Sequence, residues 1–305
     1  MNKNLQINET ERWWNSKNIY KFAKQYQKNY SDKNVVLYQN SRMNKVYELL
    51  SEEKFNNILE IGFGAGQLMS KIIIKNKVNY SGIDISKPLF AIAKKRIRLI
   101  KSKSKLKSKI NLSLKNIDQG LKFKSGKFDM IVAVGVFHYS SNLNKSLREV
   151  HRILKKGGTF IIAQRSGYAM AFLFNLRYLI RSLIYILSNE KFELFPSFKA
   201  IFCESKLGKF FKRYKKSKFF NSKFMIKNHD FYKYKIQKHL MTPKLLKKNL
   251  TKSGFTISKF EGALFEISLK NQKINTSFDK FIKFSKLSWL FKKFSSVLVF
   301  KVKKL

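Results

Sequence analysis

The stretch Glu60-Ile61-Gly62-Phe63-Gly64-Ala65-Gly66 decides how the rest of the chain is interpreted. It overlaps the end of a short apolar run over residues 57–61, so the pattern predicts a buried strand that enters a tight, glycine-rich turn. Glycines in such a turn let the backbone bend sharply and come close to a bound ligand. Because doubly wound sheets hold their ligands at the carboxyl ends of their strands, the stretch indicates a ligand-binding loop.

The spacing of these glycines argues against a dinucleotide site. The dinucleotide fingerprint needs a third glycine three residues after the second, but residue 67 is glutamine and the third glycine is Gly66. The pattern present here is E-x-G-x-G-x-G. A tight turn without any ligand is the alternative interpretation of the same residues.

Short apolar runs alternate with helical patterns between residues 57 and 165, which is typical of a parallel sheet with helical crossovers. The predicted strands cover residues 57–61, 78–83, 110–114, 128–134 and 158–163. The predicted helices cover residues 67–75, 88–100 and 142–155. The lysine-rich residues 101–109 are expected to form a loop. The fold class is therefore α/β, with a doubly wound Rossmann-like core.

The alternation stops after residue 165 and returns near residue 242. Residues 166–241 form an insertion rich in Phe, Tyr and Lys. After it, a threonine cap and a proline in the first turn predict a helix over residues 242–253, which Gly254 ends. The remaining predicted elements are two strands and an amphipathic helix between them, over residues 255–269, 296–303 and 278–294, respectively.

The glycine pattern resembles the first motif of the class I S-adenosylmethionine-dependent methyltransferases. Four later segments resemble further motifs of that family, in the same order: 81–86 (SGIDIS), 116–123 (NIDQGLKF), 127–139 (KFDMIVAVGVFHY) and 147–158 (LREVHRILKKGG). In the last segment Lys156 replaces the usual proline, a departure that affects a turn and not the cofactor. Together the motifs cover residues 57–165.

This resemblance implies a seven-stranded, mostly parallel sheet that ends in an antiparallel hairpin, with S-adenosyl-L-methionine as cofactor. Glu60 and the glycines Gly62, Gly64 and Gly66 would hold the amino-acid part of the cofactor. Asp84, followed by Ile85, would bind the ribose hydroxyls, and Asp118 would meet the adenine amino group. For Asp84 the alternative is a cap of the next helix, and for Asp118 an ordinary loop acid.

His138 is the candidate catalytic residue. It follows the fourth strand on the side where substrate should lie, and the near-neutral pKa of histidine suits a general base for a hydroxyl nucleophile. The alternative is that His138 only lines the pocket. No metal is expected, and the single cysteine, Cys203, excludes a zinc site built from cysteines.

The domain organisation follows from these patterns. Residues 1–50 are expected to form an N-terminal helical lid, and residues 51–165 the S-adenosylmethionine-binding core. Residues 166–241 would be a substrate lid or a membrane-facing segment, and residues 242–305 would complete the core sheet. The closest subgroup resembles the quinone-biosynthesis and small-molecule methyltransferases, which implies methyl transfer to a small-molecule or lipid-like acceptor.

The charge of the chain leaves its partners open. With 64 Lys and Arg against 18 Asp and Glu, the 305 residues carry a formal charge of +46, although a 44% hydrophobic share can still build a core. Codon bias towards lysine explains this excess as well as a polyanionic partner does. The amphipathic, lysine-fringed segments 168–187 and 278–294 would contact an anionic membrane surface, or else pack on the sheet as lid helices.

Two alternatives to a small-molecule enzyme remain. Aromatic residues interleaved with lysines over residues 210–220 would let an RNA methyltransferase stack bases and hold phosphates. A non-catalytic binding protein with the methyltransferase fold is the third possibility, against which the intact glycine loop and both acids argue. The first residues contain no apolar signal segment, so we expect a cytoplasmic protein, with peripheral membrane contact as a further expectation.

Overall fold

The computed structural model describes residues 3–17, 19, 33–103, 108–168, 225–227, 237–239, 241–264, 276–277, 279–281, 292 and 294–305. The helices among them are α1 (Lys3–Trp14), α2 (Lys33–Ser51), α3 (Gln67–Lys75), α4 (Lys87–Lys103), α5 (Leu143–Ile153) and α6 (Pro243–Lys252). Two short 3-10 turns cover Ile117–Gln119 and Phe137–Tyr139.

The main sheet has seven strands in the order β3-β2-β1-β4-β5-β9-β8. These are β1 (Asn57–Ile61), β2 (Asn79–Asp84), β3 (Lys109–Leu114), β4 (Phe128–Val134), β5 (Leu154–Arg165), β8 (Phe255–Gly262) and β9 (Val297–Lys304). Strands β1 to β5 pair in parallel, whereas β9 pairs antiparallel with both β5 and β8. The predicted fold class, a mostly parallel doubly wound sheet with an antiparallel terminal hairpin, is confirmed.

A separate two-stranded ribbon lies within the predicted insertion. It pairs β6 (Met225–Lys227) with β7 (Gln237–His239) in antiparallel register. The rest of the insertion's aromatic and basic residues, including 169–224, lies outside the described residues, as does most of the predicted helix 278–294. The two amphipathic segments therefore remain predictions, and none of the described helices is long and apolar enough to cross a membrane.

Several element boundaries agree with the sequence prediction and others do not. Strands β1 and β4 and helix α3 have the predicted bounds. Helix α4 continues to Lys103 into the stretch predicted as a loop, because lysine is a good helix former and no breaker intervenes. Strand β5 begins at Leu154, before the predicted residue 158, and helix α5 ends correspondingly early.

The early start of β5 has a visible cause in its pairing with β4. Phe128 pairs with Leu154, but Met130 pairs with Thr159, so extra residues of β5 bulge out between the two pairs. Gly157 within the bulge has a φ of 74°, a left-handed conformation that glycine adopts without strain. The sequence prediction interpreted the residues before this bulge as the last turn of the helix.

The alternating apolar residues of the central strands fill a core on each face of the sheet. On one face, Leu59 and Ile131 pack with buried residues of α5 and α6. On the other face, Ile58 and Val132 pack with buried residues of α2, α3 and α4. Two helical layers therefore cover the sheet, and the carboxyl edge of its parallel strands stays between them.

Helix α5 offers a direct test of this core. Leu147 is 0% exposed, so Leu147→Ala should lower the free energy of unfolding by about 2–5 kcal/mol through lost burial and the cavity left behind. Ile74→Ala on α3 is the control, because Ile74 is 58% exposed and its truncation should cost less than about 0.5 kcal/mol. Urea unfolding measures both; equal losses would contradict the assignment of α5 to the core.

Candidate functional site

The glycine loop lies where the sequence predicts it, at the carboxyl end of β1. The Gly62 N–H donates to the carbonyl of Ile83 at 2.7 Å, and the Gly66 N–H donates to the carbonyl of Phe63 at 2.9 Å. Gly62, Gly64 and Gly66 have φ values of 76°, 55° and 79°. All three therefore occupy left-handed backbone, which side chains rarely tolerate.

The three glycines differ in what surrounds them. A Cβ on Gly62 would lie 2.2 Å from Val136 Cγ2, and a Cβ on Gly66 would lie 2.6 Å from Met69 Cε. Both are therefore needed for close packing within the protein. A Cβ on Gly64 would meet nothing within 4 Å, so Gly64 faces open space on the side where a ligand can approach.

Asp84 holds this loop in place from the end of β2. Its Oδ2 accepts the Gly64 N–H at 2.7 Å, and its Oδ1 accepts the Ser86 N–H at 2.9 Å. Burial raises the pKa of Asp84, although the hydrogen bonds from Ser86, Gly64 and Ile85 act in the opposite direction. The alternative role of Asp84 as a cap of the next helix is thus partly confirmed, since it accepts the Ser86 N–H just before α4 begins. Three backbone N–H groups already donate to this carboxylate, so about one of its four lone-pair sites is left for a ligand hydroxyl.

Glu60 lies beneath the same loop and is almost completely buried. Its Oε2 accepts the Tyr80 hydroxyl at 2.5 Å. Burial raises the pKa of Glu60 to about 8, with a further increase from the charge of Asp84 and a partial decrease from the Tyr80 hydrogen bond. Neither carboxylate forms an ion pair within the described parts of the chain.

This pair of acids defines what the loop can bind. Two buried carboxylates without a cationic partner stabilise a ligand that brings positive charge, because the charge removes the penalty for ionising them. The open side of Gly64 leaves room for such a ligand beside exposed backbone. A ligand with an ammonium group, a sulfonium centre and ribose hydroxyls fits this donor and acceptor set.

Asp118 is placed at the same edge, but its oxygens already have partners. Its Oδ1 accepts the hydroxyls of Ser140 and Ser146 at 2.5 and 2.7 Å, and its Oδ2 accepts the Ser141 N–H at 2.6 Å. The residue therefore connects the turn after β3 to the beginning of α5. That Asp118 meets an adenine stays a prediction, whereas its contacts with the three serines are visible.

His138 lies in the turn after β4, across the edge from Glu60 and Asp84. Its Nδ1 is 2.9 Å from Gln164 Oε1, and its ring lies 4.0 Å from that of Tyr139. Strand β7 of the ribbon contacts this turn, so part of the insertion borders the candidate base. The structure thus places His138 at the carboxyl edge of the sheet, and both its position towards substrate and its role as a base stay predictions.

Helix α1 crosses the carboxyl edge of the sheet. Asn15, just after α1, donates from Nδ2 to the Ile85 carbonyl at 3.0 Å and accepts the Lys87 N–H at 2.8 Å. Glu11 Oε1 accepts from Asn116 Nδ2 at 2.8 Å. These contacts place α1 over the ends of β2 and β3.

The aromatic residues of α1 extend this cover to the His138 turn. The ring of Trp14 lies 5.6 Å from that of Tyr139, edge to face, and Trp13 lies 6.0 Å from it. Trp13 also packs with Ala65 of the glycine loop. The predicted N-terminal lid did not include the contacts of Glu11 and Asn15, because polar residues in these positions belong to no motif. Gln164 was also not predicted, and its one sequence signal is that a polar residue follows the apolar residues 160–163.

The protein with this site is similar to known methyltransferases. A family model described as a methyltransferase domain matches residues 59–162. The hybrid PKS-NRPS synthetase mpsA of Macrophomina phaseolina is 32% identical over 127 residues, which make up 38% of this chain and 3% of that protein. The chain therefore corresponds to a small part of that relative.

Two solved structures share the fold. An S-adenosylmethionine-dependent methyltransferase from Methanosarcina mazei superposes with a TM-score of 0.52 at 18% identity, covering 83% of this chain and 94% of that one. A protein from Listeria monocytogenes described as the same kind of enzyme gives a TM-score of 0.55 at 15% identity, covering 88% and 99%.

The fold and site define the class as α/β proteins with a class I S-adenosylmethionine-dependent methyltransferase fold. Residues 59–162 match the model of a methyltransferase domain. The resemblance inferred from the motifs is thereby confirmed, and S-adenosyl-L-methionine is the cofactor that this domain and fold imply. The narrower subgroup stays a prediction.

Glu60 gives a pH-dependent prediction. Its pKa of about 8 in the folded chain lies above the ordinary 4.5, so the folded state binds a proton that the unfolded state releases between these values. The associated stability is complete below about pH 4.5 and is lost as the pH rises towards 8. Glu60→Gln keeps an acceptor for Tyr80 but has no proton to lose. Its free energy of unfolding, relative to that of the unmodified chain, should therefore increase by more than about 1 kcal/mol as the pH rises, since one pKa unit corresponds to about 1.4 kcal/mol.

Urea unfolding at pH 5 and pH 8 without cofactor measures this difference. Glu48→Gln is the control, because the Glu48 side chain is 59% exposed on α2. A constant difference between Glu60→Gln and the unmodified chain at both pH values would show that burial does not raise the pKa of Glu60.

The cover formed by α1 gives a second prediction. Asn15→Ala removes the hydrogen bonds to Ile85 and Lys87, each worth about 1 kcal/mol, so S-adenosylmethionine should bind about tenfold more weakly. Trypsin should also cut faster at Arg12 and Lys17. Asn8→Ala, on the exposed side of α1, is the matched control. Unchanged affinity by calorimetry would exclude a role for this contact in cofactor retention.

Proposed function

We propose that this protein transfers a methyl group from S-adenosylmethionine to a small-molecule or lipid-like acceptor. The observation that carries the proposal is the convergence of two groups under helix α1. The acidic glycine loop, with Glu60 and Asp84, lies on one side, and His138 lies on the other. Cofactor and acceptor can thus meet at one covered edge of the sheet.

The residues of the loop suit the cofactor part by part. Glu60 and the open face of Gly64 would hold the amino-acid end, and Asp84 would accept hydrogen bonds from the ribose hydroxyls. The cofactor supplies an electrophilic methyl group when bound. The protein's own contribution is to align the acceptor with that group and to exclude water, for which the cover of Trp13 and Trp14 is suited.

His138 is the residue that would remove a proton from the methyl acceptor. An acceptor hydroxyl, or an acidic carbon next to a carbonyl, must lose a proton when it is methylated. A neutral imidazole within reach takes that proton at physiological pH. His138 is the described side chain of this kind on the acceptor side of the loop, and its Nδ1 is already held by Gln164.

A small-molecule acceptor is favoured over RNA by the similarity to part of a PKS-NRPS synthetase, whose name denotes polyketide and peptide assembly. The RNA alternative depends on residues 210–220, and membrane contact on residues 168–187 and 278–294. Those residues lie almost entirely outside the described parts, so both ideas stay predictions and no described contact favours them.

Cofactor binding tests the first half of the proposal. Asp84→Asn removes the negative charge from the group at the ribose position, so S-adenosylmethionine should bind about 10- to 100-fold more weakly in calorimetry, as expected for hydrogen bonds to charged groups. Asp129→Asn is the control, because Asp129 supports the opposite edge through the N–H groups of Asn56 and Asn57. Equal affinity of Asp84→Asn and the unmodified chain would refute the site.

Radiolabelled cofactor tests the second half. The chain is incubated with cell extract and methyl-labelled S-adenosylmethionine, and the products are partitioned into nucleic acid, protein, lipid and small-molecule fractions. Label should enter the lipid or small-molecule fraction and be lost with His138→Ala. Label in RNA would replace the acceptor assignment by the RNA alternative, and binding without any transfer would favour a non-catalytic protein.

A further inference from the structure

We propose that Gln164 is a positioning residue that fixes the proton of His138 on Nδ1, so that Nε2 carries the lone pair which accepts the proton of the methyl acceptor. This inference rests on the proposed function, because it explains how His138 becomes a base. It adds a residue that none of the sequence motifs contains. In addition, Nε2 would be the ring nitrogen that faces the methyl acceptor.

The contact itself is direct. His138 Nδ1 lies 2.9 Å from Gln164 Oε1, an ordinary hydrogen-bond distance. An amide oxygen can only accept a hydrogen bond, so the ring nitrogen opposite it must donate. A neutral imidazole has one donor and one acceptor nitrogen, and the lone pair is therefore at Nε2.

Gln164 is held far more rigidly than a loop residue would be. It lies in β5, where its partner in the antiparallel pair is Leu298 and the preceding Ala163 pairs with Val134 of β4. Gln164 is 1% exposed. Its carboxamide therefore stands on a buried strand that pairs with β4 on one side and β9 on the other.

The turn that carries His138 is fixed to the same strand. The Gly135 N–H donates to the Ala163 carbonyl at 2.8 Å, one residue before Gln164. Gly135 has a φ of 72°, which allows the chain to leave β4 in this direction. The ring of Tyr139, 4.0 Å from that of His138, limits rotation of the imidazole. The distance between His138 and Gln164 is thus set by the sheet.

The other end of the carboxamide shows that Gln164 is not explained by packing. Gln164 Nε2 is buried and has no hydrogen-bond partner among the described residues. A buried donor without a partner costs stability, and an apolar side chain of the same length would avoid that cost. The contact with His138 is therefore the side-chain hydrogen bond that glutamine makes at this position among the described residues.

A neutral hydrogen-bond acceptor such as the Gln164 amide oxygen also suits a general base at His138 better than a carboxylate would. A carboxylate at this place would favour the protonated imidazolium, which cannot take a proton. The amide oxygen orients the ring without adding charge.

The tautomer of His138 is measurable without knowing the substrate. Long-range nitrogen–proton NMR on the full chain labelled at histidine distinguishes Nδ1–H from Nε2–H rings. The chain has 4 histidines, and His138→Ala identifies the signal in question. The unmodified chain should show His138 as the Nδ1–H tautomer.

Two substitutions of Gln164 then separate orientation from packing. Gln164→Met has a similar length but no acceptor oxygen, so the His138 signal should shift towards the Nε2–H form. Gln164→Glu keeps an acceptor oxygen and should retain the proton on Nδ1 when the spectrum is recorded at a pH high enough to keep the imidazole neutral beside a carboxylate. The His151 signal is the internal control and should not change. A His138 signal that is the same in Gln164→Met as in the unmodified chain would overturn the proposal.

Kinetics with the acceptor fraction identified above complete the test. Gln164→Met should lower kcat about 10- to 100-fold and leave the KM for S-adenosylmethionine unchanged, and it should have no further effect when His138 is already alanine. Additive losses would contradict action through His138. If the tautomer behaves as expected but no methyl transfer occurs, the proposed function fails and the positioning contact stands.

Discussion

The hydrogen bond from the Gly64 N–H to the carboxylate of Asp84 is the contact on which the candidate site depends. It joins the loop after β1 to the end of β2, two segments that the sheet already places side by side. Because the same carboxylate also accepts the Ser86 N–H, one side chain sets both the loop and the start of α4. Any ligand that enters beside Gly64 therefore meets a surface that is already formed, which reduces the ordering cost of binding.

Much of this arrangement could be predicted from sequence because it depends on local patterns. The run before Gly62 is mostly apolar, and the bounds of β1 and of α3 follow from the glycines between them. The positions of Glu60, Asp84 and His138 at one edge follow from strand order, since parallel strands end on the same side. The seven-stranded sheet with its antiparallel hairpin was implied by the family resemblance and not by the residues, and the strand order was not predicted.

What could not be predicted depends on contacts between distant parts of the chain. Glu11 meets Asn116 across 105 positions of sequence, and Asn15 meets Ile85 across 70, so no local pattern marks them. The bulge that begins β5 early is a property of its register with β4. The motif around Asp118 likewise predicted the position of this residue but not its partners, because the three serines that donate to its oxygens lie more than 20 residues away in the sequence.

The strongly positive charge of the chain and the acidity of this edge have separate physical consequences. The chain carries 18 acidic residues in all, and Glu60, Asp84 and Asp118 lie together at the edge of the sheet without an ion pair to any described cation. Elsewhere acids are neutralised locally, as where Glu52 and Glu53 contact Lys301. A buried group responds mainly to its neighbours, since distant surface charges are screened by salt over about 10 Å. Within a chain of net charge +46, the loop thus contains two acids whose pKa burial raises, and a positively charged ligand would favour their ionisation. The excess of lysine acts on what approaches from outside, whereas the two carboxylates and the open side of Gly64 are the groups that we propose select the cofactor.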